Sequence, residues 1–215
     1  MKDDDGQYAP MPRGNRLVVG FDLDMTLIDP RVGIASAMAA LESEIDAGID
    51  VQWVVDNVGP RLETVLARWV PADDIEQAAG RYRELFEATG VATTEAMPGA
   101  VDAVEAVRTV GGEVIVVTAK YEPHAWASLR VIDVSPDAVF GLRFGSGKGD
   151  ALLTHGVDVY VGDHPGDVLA ARAGGALAVT VATGPASCEE LADAGADIVL
   201  ASLHEFPAWL GTYLS

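Results

Sequence analysis

Three carboxylates fall within eight positions behind an apolar run in VVGFDLDMTLID, residues 18–29. Asp22 and Asp24 stand at the end of what reads as a buried strand, where an unpaired charge is expensive or takes up a proton. Such a pair calls for a compensating partner, either a metal ion or a reaction centre. Further along, Thr118 closes EVIVVT, Lys148 sits in GSGKGD, and Asp163 and Asp167 follow VDVYVG in GDHPGD. Carboxylates converging from two strand ends would make an oxygen-rich site suited to Mg²⁺. Lys148 and Thr118 could then neutralise and hydrogen-bond a phosphoryl group.

For these residues to meet, strands must carry them to one edge. RLVVGF (16–21), EVIVVT (113–118), VDVYVG (157–162), LAVTVA (177–182) and ADIVL (196–200) are rich in Val and Ile without clean alternation. Strands covered on both faces have that pattern. Helical stretches lie between them. VDAVEAVRTVG (101–111) ends on Gly111 and Gly112, GDALLTHG (149–156) and GDVLAARAGG (166–175) are shorter, and SCEELADAG opens with Ser187 and Glu190 in a capping-box relation. The alternation predicts an α/β fold with a Rossmann-like parallel sheet, whose ligands bind outside the carboxyl ends of the strands. The interval 30–95 breaks this rhythm. Helical patterns cover about 33–47, 50–69 and 73–89, with Gly48, Gly59–Pro60, Pro71 and Gly90 as punctuation. That is too much chain for one crossover, and it reads as an inserted all-helical domain. The expected partition is a core of 16–29 and 96–215, a helical domain of 30–95, and a frayed N-terminus of 1–15.

Acidic residues number 33 against 14 Lys and Arg, for a net charge of −19, and the lysines are only Lys2, Lys120 and Lys148. That balance argues against a nucleic-acid partner, though not against a small anion met by a local positive site. Cys188 is the only cysteine, so an internal disulfide is excluded. The N-terminus lacks the apolar stretch of a signal peptide, and no apolar run approaches ~18 residues, the length of a membrane span. The expectation is a soluble cytoplasmic protein, monomer or homodimer.

Taken in order, FDLDMTL, VIVVTAK and GDHPGD resemble the motifs of the haloacid dehalogenase-like superfamily of aspartate-nucleophile phosphohydrolases. Within it, the chain is similar to the phosphoglycolate phosphatase and β-phosphoglucomutase type, which carries a helical cap. VGPRLETVL (58–66) resembles a cap segment, PGAVDAVEAV (98–107) the return into the core, and SCEELADAGAD the C-terminal helix. The resemblance implies that Asp22 is the nucleophile that becomes an aspartyl phosphate. It implies that Asp24 is the general acid and then the base. A side chain two residues along an extended segment points the same way and can reach the same pocket. Asp22, Asp24 through its backbone carbonyl, Asp163 and Asp167 correspond to the Mg²⁺ set. Thr118 and Lys148 correspond to the phosphate-binding hydroxyl and lysine. Two departures stand out. Gly149 follows the lysine where Pro is common, with a short run to Asp163, so Lys120 is a rival for the lysine role. His164 occupies a place often held by Thr, either as a solvated loop residue or as a contact to substrate.

Arg61 in the cap segment either contacts substrate or sits at the surface. Trp53 and Trp69 are expected in the cap core or against the main domain, and Cys188 as a buried structural thiol beside Leu191. Glu113 and Asp158 precede strands without a function, and Asp29 is a loop or hinge residue. Two aspartates spaced as Asp22 and Asp24 favour phosphoryl chemistry over dehalogenation. The stretch 30–95 has no lysine, which closes the Schiff-base branch of the family. The resemblance therefore implies a Mg²⁺-dependent phosphatase for a small phosphorylated metabolite, with phosphoglycolate or a short sugar phosphate suggested by likeness. A phosphomutase and a non-catalytic phospho-ligand binder remain as alternatives.

Overall fold

The structure, a computed structural model, describes residues 16–215. The expected frayed N-terminus of 1–15 lies outside the described residues. The chain runs from β1 (Val18–Phe21) through a tight turn into β2 (Ile28–Asp29). Four α-helices follow: α1 (Arg31–Ile45), α2 (Val51–Asp56), α3 (Leu62–Leu66) and α4 (Ile75–Leu85), the last prolonged by a π turn over Phe86–Gly90. After β3 (Glu95–Ala96) come α5 (Ala100–Thr109), β4 (Glu113–Val117), α6 (Glu122–Val131), β5 (Ala138–Phe140), α7 (Ser146–Thr154) and β6 (Val159–Gly162). The chain closes with α8 (Pro165–Gly174), β7 (Leu177–Val181), α9 (Cys188–Asp193), β8 (Ile198–Leu200) and α10 (Phe206–Tyr213).

Six of these strands form one parallel sheet in the order β5-β4-β1-β6-β7-β8. β1 is central, with Val19 between Val114 and Val159 and Phe21 between Val116 and Val161. Successive side chains leave a strand on opposite faces. Val19, Phe21, Val114, Val116, Val159 and Val161 therefore join one core cluster with Val107 of α5 and Leu210 of α10. Ile115, Val117 and Tyr160 join a second with Leu152 of α7 and Val168 of α8. Burial on both faces is why these strands read as unbroken Val-rich runs. The α/β fold expected from the sequence is the fold observed.

Glycines permit two close approaches that matter for the site. A Cβ on Gly20 would stand 2.9 Å from the Tyr160 ring, so bare backbone in β1 gives that ring its place. A Cβ on Gly149 would stand 2.7 Å from the Ala173 Cβ, so α7 packs tightly on α8 only without a side chain there. That contact accounts for Gly149 where a Pro is common.

Several boundaries differ from the sequence expectation. The helix expected over 50–69 is two short ones parted at Gly59–Pro60, and Asp50 caps the first by accepting from the Trp53 N–H at 2.9 Å. Strand β5 and helix α6 had no counterpart in the sequence reading. Nor did the antiparallel pairing of β2 with β3, which ties together the two ends of the helical insertion. Asp29 lies in that pairing and is held by Arg31. Trp53 and Trp69 meet edge to face at 5.5 Å inside the insertion, with the Arg68 guanidinium 4.0 Å over Trp53. Cys188 corrects its expectation: it is exposed. It opens a helix of six residues in which only Leu191 is buried.

Candidate active site

The carboxyl ends of β1 and β6 lie side by side, and Asp22 continues the ladder by donating its N–H to the Val161 carbonyl at 2.8 Å. Its side chain is thereby delivered beside Asp163 and Asp167. Ligand atoms of the three buried carboxylates all lie within 4.8 Å of one another. Lys148, from the first turn of α7, reaches between them, 2.9 Å from Asp22 Oδ2 and 2.7 Å from Asp167 Oδ1. The Tyr160 hydroxyl donates to the Val117 carbonyl at 2.8 Å and stands 3.4 Å from Asp167 Oδ1. Thr26 donates to Asp163 Oδ1 at 2.9 Å.

Burial pushes the Asp22 carboxyl from 3.8 up to about 7; Lys148 opposes the shift and Asp167 adds to it. Asp163 is pushed well above the carboxylate range by burial, and then by Asp167 and Asp22. Burial pulls the Lys148 ammonium down, but Asp167 and Asp22 outweigh it and hold the ammonium well above its usual range. One ammonium thus faces three buried carboxylates, two of them pushed toward holding a proton. An oxygen-only cluster with that deficit of positive charge fits a hard divalent cation.

The turn after Asp22 is strained. Met25 takes φ 63, a region uncommon for a residue with a side chain, and is fixed there by N–H donation to the Ile28 carbonyl at 2.8 Å. The turn aims Asp24 away from Asp22's cluster. Asp24 pairs with Lys120 at 2.9 Å, and the Lys120 ammonium stands 4.5 Å over the Phe86 ring. The two candidate lysines therefore occupy different places: Lys148 among the three carboxylates, Lys120 on Asp24. Thr118 is buried at the end of β4, and its hydroxyl accepts from the Lys120 N–H at 3.1 Å.

Asp24 and Lys120 form one wall of a cavity of about 90 Å³ between the sheet end and the helical insertion. Ile34, Met38, Tyr82 and Arg83 line its far side. A smaller recess holds Asp22, Lys148, Asp163, His164 and Asp167, and Gly59 lines both spaces. His164 is half-buried at the start of α8, where its Nδ1 accepts from the Gly166 N–H at 2.9 Å. In the neutral ring the proton is then on Nε2. Arg61 is not among the residues lining either space; its side chain is 47% exposed and 3.8 Å from Glu63. Sequence reasoning missed Tyr82, Arg83 and Glu63, which sit on ordinary amphipathic helices and carry no motif.

The haloacid dehalogenase-like hydrolase family model matches residues 19–137. Phosphoglycolate phosphatase from Caulobacter vibrioides is 29% identical over 214 residues, covering 90% of each chain. Tyrosine-protein kinase PtkA from Mycobacterium tuberculosis is 28% identical over 190 residues, covering 82% of this chain and 65% of its own. A predicted phosphatase from Clostridium acetobutylicum shares the fold, with a TM-score of 0.80 at 23% identity over 92% of this chain and 99% of that one. No helix among the described residues is long and apolar enough to cross a membrane. With a match across more than half its length and an acidic cluster at the carboxyl edge of the sheet, this chain belongs to the haloacid dehalogenase-like hydrolases.

Proposed function

We propose that the protein is a Mg²⁺-dependent phosphatase acting on a small phosphomonoester, with 30–95 as a cap domain over a core of 16–29 and 96–215. The observation that carries this reading is the split of the acidic residues: Asp22 beside Lys148 in one recess, Asp24 beside Lys120 on the adjoining cavity. A phosphoryl group placed at Asp22 would put its ester oxygen on the side of Asp24. In the first step an Asp22 carboxylate oxygen attacks phosphorus, the ester P–O bond breaks, and the leaving alkoxide takes a proton from Asp24. In the second, water attacks the aspartyl phosphate and gives its proton to Asp24. The acyl phosphate P–O bond breaks, inorganic phosphate is released and the Asp22 carboxylate is regenerated.

Asp22, Asp163, Asp167 and the Asp24 carbonyl would hold the metal, which when bound supplies positive charge to the phosphoryl oxygens. Lys148 holds Asp22 in position and adds a second cation against those oxygens, with Thr118 as a hydroxyl donor at the same edge. Insertion residues bordering the site, Gly59 among them, would exclude bulk water during transfer. Two relatives bear the name phosphoglycolate phosphatase, and the compact cavity suits a leaving group of that size. The test is phosphate release from a panel of small phosphomonoesters with Mg²⁺ or with chelator, beside Asp22→Asn. Metal-dependent release lost in the variant is expected. Release that persists in Asp22→Asn would overturn the assignment.

A further inference from the structure

The cavity beside Asp24 contains a cation that the chemistry above does not use. Arg83, from the last turn of α4, lines that cavity and donates through one terminal nitrogen to Glu63. Its guanidinium lies 5.3 Å over the Tyr121 ring. Its Nε is buried and makes no hydrogen bond. A buried donor without an acceptor is a costly arrangement, so the Arg83 guanidinium is not fully satisfied by the protein alone. Glu63 does not cancel Arg83 outright, because the same carboxylate also stands 3.8 Å from Arg61. Two guanidinium groups share one carboxylate there, while Lys120 pairs with Asp24. Among the residues lining the cavity, Arg83 is the cation carried by the insertion. Buried His124 senses the same field: burial, then Lys120, then Arg83, pull it down to about 4.

We propose that Arg83 is the specificity-determining residue and that it receives a carboxylate on the leaving group, making the substrate class short phosphorylated hydroxy acids. This rests on the phosphatase reading above. Glu63 and Tyr121 hold the guanidinium at one corner and one face, so the fork is oriented before substrate arrives. A guanidinium presented in that way suits a planar carboxylate better than a neutral hydroxyl. The cavity of about 90 Å³ limits the acid to a few carbons.

The test uses matched esters, phosphoglycolate and its neutral counterpart 2-hydroxyethyl phosphate, with the full chain. Wild type should prefer the carboxylated ester in kcat/KM by about tenfold or more. Arg83→Gln should collapse that ratio through KM, and Arg83→Lys, which keeps the charge and loses the fork, should restore part of it. Equal losses on both esters, or a wild type without the preference, would overturn the proposal. Binding to Asp22→Asn protein separates the two readings, because it needs no turnover. The carboxylated ester should bind about tenfold or more tightly than the neutral one, and Arg83→Gln in that background should erase the difference. If wild type releases no phosphate from any ester while that difference persists, the catalytic reading fails and the role of Arg83 stands. If turnover is normal and the difference is absent, the reverse holds.

Discussion

Asp22 should make the metal-free protein less stable as pH rises toward neutrality, the opposite of the behaviour of a salt-bridged surface carboxylate. Its carboxyl is lifted from 3.8 to about 7 by burial, with Lys148 opposing and Asp167 reinforcing. Between those values the unfolded chain has released the proton while the folded chain keeps it. The folded state therefore binds more protons, and stability falls with rising pH through the window from about 4 to about 7. At about 1.4 kcal/mol for each tenfold change in proton concentration, the gap is worth ~4 kcal/mol. The perturbation is Asp22→Asn, which is close in shape and does not titrate. It also removes one of the negative charges that hold Asp163 up, which adds with the same sign. Carboxylates held low by partners, such as Asp29 by its hydrogen bonds from Arg31, titrate below this window.

The assay is urea unfolding followed by circular dichroism, in chelator, from pH 4.5 to 7.5. Between the two ends of that range the variant should gain on wild type by about 3 kcal/mol, the first ~1 kcal/mol of the linkage lying below pH 4.5. Adding Mg²⁺ at pH 7.5 should stabilise wild type more than the variant, because a cation bound only by the folded state shifts the equilibrium toward it. A difference that stays flat across the window in chelator would refute the buried-carboxylate account of Asp22.

Lys148→Met should abolish turnover and, in chelator at pH 7.5, cost ~3–5 kcal/mol, since it strands buried carboxylates. Lys120→Met should cost ~1–3 kcal/mol by leaving the largely buried Asp24 without its partner, and lower kcat while leaving metal affinity close to wild type. Titration calorimetry and steady-state rates would distinguish the two lysines, and matching losses would undo their assignment to separate places. Gly149→Val should destabilise by ~1–3 kcal/mol in urea and reduce activity by prising α7 and Lys148 away from α8; an unchanged midpoint would mean the helices can slide apart freely. Tyr160→Phe should cost ~1–3 kcal/mol by leaving the Val117 carbonyl without its donor, with a smaller loss of turnover through Asp167; calorimetric melting and kcat measured together would show whether both effects occur.

What the sequence made legible follows from how strongly each element is constrained. β1, β4, β6 and β7 are buried on both faces, and their side chains have no alternative to Val and Ile, so the runs announce themselves. β5 has three residues at the sheet edge, and α6 carries buried His124 and Ser128 on its inner face, so neither shows a clean apolar signal. The acidic residues were legible for a similar reason, since a carboxylate at the end of a buried strand has few explanations. Arg83 was not legible because its role depends on where α4 lands. On its own helix it is an ordinary polar position following buried Tyr82, and only the packing of the insertion over the sheet edge turns it toward Asp24 and Lys120. The groups expected to perform the reaction are fixed to the sheet, where local sequence governs position. The group proposed to choose the substrate is fixed to the insertion, where position is set by tertiary packing. Changes in that packing would therefore alter substrate choice while leaving the chemistry on the sheet intact.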